Sequence, residues 1–182
     1  MTGFYDAGAV QQVAINLFYG WGYNFYREEN QLRADDQLIR RKAGELLGQA
    51  HDALCKAESE YRRVNLPPPS RAHPFPDAGA VTSAQTLERL AHDISALKAR
   101  INAMPVPEGD RMTQRYRQEG ETLKSLIASD EQLAGQSELL RQALDGRDGQ
   151  GVLDNLPLLH EGVAAISATL QARAAILNGT LP

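Results

Sequence analysis

The sequence predicts an all-α protein, an elongated antiparallel bundle of four to five helices with coiled-coil-like heptad seams. Three observations point there. The 25 Ala and 23 Leu far outnumber the 14 Val plus Ile, so the strongest helix formers dominate and the β-branched residues that favour sheet are scarce. Apolar residues recur at three-four spacing through every long segment, the periodicity of one helix face, and none alternates with period two. Pro and Gly gather between these segments, where helices must end. At 182 residues the chain fits one domain, 1–182, large enough to bury a core.

The first helix is expected over residues 6–19, with Val10, Val13, Ala14, Leu17 and Phe18 on its apolar stripe and Asp6 as its cap. Gly20 and Gly22 flank Trp21, and each glycine weakens a helix by about 1 kcal/mol relative to Ala, which predicts a turn or kink there. A long helix then covers 23–64. Phe25, Leu32, Ile39, Leu46 and Ala53 are seven apart, with Ala43, Ala50, Ala57 and Val64 in the row four residues on. A second row of Leu47, Leu54 and Tyr61 widens the face enough to pack against two neighbours. Eight charges of each sign between residues 27 and 63 form its solvated side.

Residues 65–81 form a Pro-rich linker in which Pro67, Pro68 and Pro69 must be extended. The next helix, 82–104, opens on a capping box of Thr82 and Gln85 and carries the cleanest heptad, Leu87, Leu90, Ile94, Leu97, Ile101 and Met104. After Pro105 and Pro107 a helix over 110–144 has a seam of Met112, Tyr116, Leu123, Leu126, Leu133, Leu140 and Leu144, interrupted by Glu119, Asp130 and Ser137, which implies a water-lined or unpaired section. Residues 145–151 read as a flexible turn. The last helix, 155–178, follows Leu156, Leu159, Val163, Ile166, Leu170 and Leu177 to a stop at Gly179. Its short loop and the one before 110 predict two pairs of antiparallel neighbours. At ~1.5 Å per residue the 23–64 helix would span about 60 Å and the 82–104 helix about 35 Å, so the longer one must kink or be covered by the first helix or by a second copy.

Composition narrows the function. A net charge of -4 with no basic stripe argues against nucleic acid. A single cysteine, Cys55, fits a reducing compartment, and with no basic region before an apolar run at the N-terminus the expectation is a cytoplasmic protein without a transmembrane segment. His51 and Cys55, at i and i+4, are a weak candidate metal pair and fall two ligands short of a site. Glu88 and His92 share that spacing and read as an exposed helix pair. The 145–151 run lacks the Lys and Ser/Thr of a phosphate loop, and Arg147 stands where a calcium loop needs its second oxygen ligand. No nucleophile signature emerges, and no cofactor is expected.

What stands out is aromatic. Eight of eleven aromatics lie in the first 26 residues, and Phe18, Tyr19, Trp21, Tyr23, Phe25 and Tyr26 concentrate rigid apolar area as no other stretch does. At helical spacing Phe18, Trp21 and Phe25 can face inward, which leaves the tyrosines for a partner. The expected function is a non-catalytic adaptor, chaperone or assembly factor that uses this cluster as its recognition or dimerisation surface, with a protein partner, above all a second copy in a homodimer. Peripheral membrane contact is not expected, because only Arg27 lies close. The alternative is a small-molecule-binding bundle, or an enzyme, whose aromatics wall an interhelical pocket.

Overall fold

A computed structural model describes residues 7–21, 32–71, 74–104 and 120–178. Those residues are all-helical: α1 (Ala7–Gly20), α2 (Leu32–Asn65), α3 (Ala78–Ala103), α4 (Gly120–Leu144), α5 (Gly149–Leu153) and α6 (Leu156–Asn178), with no strand among them.

Side-chain pairings give the helix directions. Arg40 Nη1 donates to the Met104 carbonyl at 2.5 Å, Gly44 faces Asn102, Gly48 faces Lys98, and Arg62 Nη2 meets Glu88 Oε2 at 2.8 Å, so α2 and α3 run antiparallel. Asp130 pairs with Arg173 and Gln136 with Thr169, so α4 and α6 run antiparallel as well. The two hairpins lie side by side, α2 against α4 and α3 against α6, and α1 lies across α4. Tyr61, at the end of α2, packs on Gly149, while Arg100 near the end of α3 bonds Ser167, so α3 and α6 point the same way and so do α2 and α4. Consequently α3 and α4, joined in sequence by residues 104–119, sit diagonally across the core. The described parts of α3 and α4 are thus not the side-by-side neighbours that a short loop predicts, and residues 105–119, which join them in sequence, lie outside the described residues.

The core is built of Leu, Ile and Ala: Ile39, Leu47, Ala50 and Leu54 from α2, Leu87, Leu90, Ile94 and Ile101 from α3, Leu133, Leu140 and Leu144 from α4, and Leu159, Ile166 and Leu170 from α6. On α2 the row Leu47, Leu54 and Tyr61 turns inward, whereas Val64 is 62 % exposed. A straight helix drifts about 20° per seven residues, so over the three heptads from Ala43 to Val64 a strict heptad row turns about 60° and leaves the core.

Several element ends differ from the sequence reading, for local reasons. α3 starts at Ala78, not Thr82, because Asp77 caps it: the carboxylate accepts from Ala80 N–H at 2.7 Å, and Thr82, inside the helix, turns its hydroxyl back to the Ala78 carbonyl at 2.9 Å. The 145–151 turn contains a second such cap. Gly146 takes the left-handed conformation (φ 67°), Asp148 accepts from Gly151 N–H at 2.8 Å, and α5 follows. Gly20 is helical, and Trp21 N–H still reaches the Leu17 carbonyl at 2.9 Å. The expected segments over 23–31 and 110–119, with Tyr23, Phe25, Tyr26, Met112, Tyr116 and Glu119, lie outside the described residues.

Candidate functional site

α1 is amphipathic only on a narrow stripe, with Val10 and Ala14 fully covered by the bundle. It approaches α4 at Gly135, where a Cβ would run into the Val10 carbonyl oxygen and lie 2.8 Å from its Cγ1. Any side chain larger than hydrogen would push the two helices apart. One turn on, Phe18 and Trp21 stack with ring centroids 5.5 Å apart at a tilt of 42°, and both rest half-buried against the main core. Lys42 of α2 places its ammonium 5.5 Å from the Trp21 ring, a cation-π contact worth ~0.5–1 kcal/mol at a partly exposed site. Trp21 thus ties α1 to α2.

Tyr19, between these two inward rings, is 90 % exposed. The helix itself dictates that split, because neighbours one residue apart diverge by about 100°. Ile15, one turn earlier on the same outward side, is 48 % exposed. The described part of the aromatic cluster therefore divides into an anchoring pair, Phe18 and Trp21, and an outward face of Ile15 and Tyr19.

The other sequence candidates stay apart from this place. His51 Nε2 and Cys55 Sγ come within 3.5 Å on the outer side of α2. Burial and then the negative charges of Asp52 and Glu58 push the thiol above its usual value, away from the thiolate that binds metal or attacks electrophiles. Among the described residues no three His, Cys, Asp or Glu side chains gather as a metal group. Glu88 is engaged by Arg62, and His92 lies exposed one turn further along α3. An open polar groove of about 610 Å³ runs between α2 and α3 over Gly44 and Gly48, edged by Arg41, Lys98 and Asn102. No helix among the described residues is long and apolar enough to cross a membrane.

The feature that sequence reasoning missed lies in the α4/α6 interface. Arg173 and Asp130 are wholly buried and paired at 2.6 Å, and one turn away Thr169 Oγ1 donates to Gln136 Oε1 at 2.9 Å. Ser137 donates back to the Leu133 carbonyl at 2.7 Å. The polar seam positions Asp130 and Ser137 are therefore paired within the protein. The signal was present in the sequence: Arg173 stands three residues after Leu170 and four before Leu177, a charge in the one gap of the α6 row, as Asp130 is in the α4 row. No protein-family model, curated protein or solved structure matches this chain, so its own residues carry the functional argument.

Proposed function

We propose that the chain is a single-domain, cytoplasmic, non-catalytic interaction protein, an adaptor, chaperone or assembly factor, whose N-terminal aromatic segment is its recognition surface and whose first partner is a second copy of itself. The observation that supports this reading is the 90 % exposure of Tyr19 beside the anchored Phe18–Trp21 pair. Rigid aromatic side chains held in place by a packed neighbour lose little entropy on docking, and Tyr and Trp are the residues on which binding energy concentrates at interfaces. Tyr23, Phe25 and Tyr26 belong to the same surface in this proposal.

The test is the mass in solution of the wild-type chain and of Tyr19→Ala across a concentration series. The expected result is a concentration-dependent dimer that weakens about thirtyfold or more in the variant, roughly 2 kcal/mol, while melting is unchanged because an exposed side chain contributes at most ~0.5 kcal/mol to the fold. A wild-type mass fixed at 20.0 kDa, or a variant that associates as well as wild type, rejects the reading.

A further inference from the structure

The connection between α2 and α3 is longer and stiffer than the hairpin needs. α2 ends with Leu66 N–H bonded to the Arg62 carbonyl at 2.9 Å, and α3 begins at the Asp77 cap, leaving residues 66–76 between them. Arg62, near the end of α2, pairs with Glu88, ten residues into α3, so α3 starts about 10 Å beyond the end of α2 at ~1.5 Å per residue. Helix–helix connections in bundles run two to about eight residues, and these eleven reach further than that offset needs. One proline would stop α2. Here five stand within eleven residues: Pro67, Pro68, Pro69, Pro74 and Pro76.

Covalent chemistry sets the shape of the first three. Each proline ring holds φ near -65°, and each residue that precedes a proline is forced out of the helical region, so Leu66, Pro67 and Pro68 are held extended and the triplet forms one preordered turn of left-handed polyproline helix. The triplet is not laid down on the bundle. Pro67, Pro68, Pro69 and Arg71 are exposed, and further along the same connection Phe75 is 85 % exposed.

We propose that residues 67–71 are a docking segment for a partner protein whose groove is lined by Trp and Tyr faces and edged by a carboxylate. The puckered proline rings present polarised C–H groups that pack on the electron-rich faces of Trp and Tyr, and a segment already held in the bound conformation gives up little entropy when it docks. A polyproline helix has nearly the same outline in both directions. Arg71, two residues past the last ring, supplies the asymmetry: its planar guanidinium pairs with a carboxylate at one end of the groove and selects one orientation. This surface is at the α2/α3 mouth and does not depend on the aromatic segment of α1.

The experiment titrates the full-length chain into a nitrogen-15-labelled WW domain with an acidic residue beside its proline groove, a defined probe of this groove chemistry. The expected result is saturable movement of the groove tryptophan and tyrosine signals with a Kd at or below about 1 mM. Pro68→Ala with Pro69→Ala should weaken it about tenfold or more, and Arg71→Glu by several-fold, with helix content and melting unchanged because all three side chains are exposed. Absence of saturable movement at millimolar chain overturns the proposal. So does equal affinity of the double proline variant, which would leave the prolines as a helix stop and spacer. If the proline variant melts early, Arg71→Glu decides: affinity as in wild type overturns the proposal, and a several-fold loss with a normal melt supports it.

Discussion

At the scale of single residues the most consequential contact is the Asp130–Arg173 pair, both side chains fully out of solvent. Two buried charges lose hydration that their attraction barely restores, but removing one strands the other, which costs ~3–5 kcal/mol. Asp130→Ala should therefore lose about that much in denaturant unfolding, while Asp130→Leu with Arg173→Leu should recover most of it; a double variant as unstable as the single would show that the pair has no apolar substitute. Next to it, two glutamates respond to pH with opposite signs. Burial raises the Glu138 carboxyl, but hydrogen bonds from Arg141 and Gln142, with the charge of Arg141, outweigh it and hold the group below its ordinary 4.5. The stability it contributes is present above that value and is lost as pH falls through the depressed one. Burial and then the charge of Asp130 push Glu131 above 4.5, so its contribution is present below that value and lost as pH rises. Melting followed against pH should show Glu131→Gln more stable than wild type at neutral pH and Glu138→Gln less stable; the reverse order would refute the environments described. The Glu131 shift was not legible from sequence, because it comes from how far packing buries the group, whereas the Glu138 partners stand three and four residues on, and the Asp130 and Arg173 gaps were visible as polar interruptions in otherwise apolar rows.

At the scale of elements, helix existence was legible and helix ends were not. The Leu87, Leu90, Ile94, Leu97 and Ile101 spacing names side chains that are in fact buried, since three-four spacing is enforced by the helix itself. A start, by contrast, depends on which of several eligible side chains wins the free N–H groups. Asp77 precedes Thr82, and its carboxylate accepts more strongly than a hydroxyl, so the extra turn of Ala78, Gly79, Ala80 and Val81 forms despite Gly79. The same preference for Asp builds α5 from a glycine-rich run. Asp77→Ala should then lower stability by about 1 kcal/mol, seen as a drop in melting temperature, and Thr82→Ala should change it by less than half of that, because its hydroxyl only returns to a carbonyl already in the helix. A larger loss at Thr82 than at Asp77 would put the cap back where the capping-box pattern first suggests it. Directions were legible only in part: a short linker makes neighbours antiparallel, but the diagonal placement of α3 and α4 depends on how two finished hairpins meet, and no local pattern records that.

At the scale of the molecule, the two hairpins share a continuous apolar core, whereas α1 packs at its edge, chiefly along α4: Val10 and Ala14 are fully buried, Val13, Leu17, Phe18 and Trp21 half-buried, and Lys42 adds a cation-π contact. Local opening follows buried apolar contact, so α1 should leave the bundle at lower denaturant than the bundle unfolds. Trp21 is the chain's single tryptophan, and its fluorescence reports the docked helix while circular dichroism at 222 nm reports the whole. In urea the Trp21 transition is expected to precede the circular dichroism transition. Gly135→Ala should widen the gap, because the added methyl meets the Val10 backbone and must displace α1. The same measurement bears on self-association. Anything that binds the docked state and not the open one stabilises it by mass action, so a dimer formed through the aromatic segment should raise the Trp21 midpoint as protein concentration rises and leave the later transition nearly fixed. If the two transitions coincide in wild type and in Gly135→Ala alike, α1 is an integral part of the core. A Trp21 midpoint that ignores concentration, in a chain that does dimerise, would place the dimer contact on some other face of the bundle.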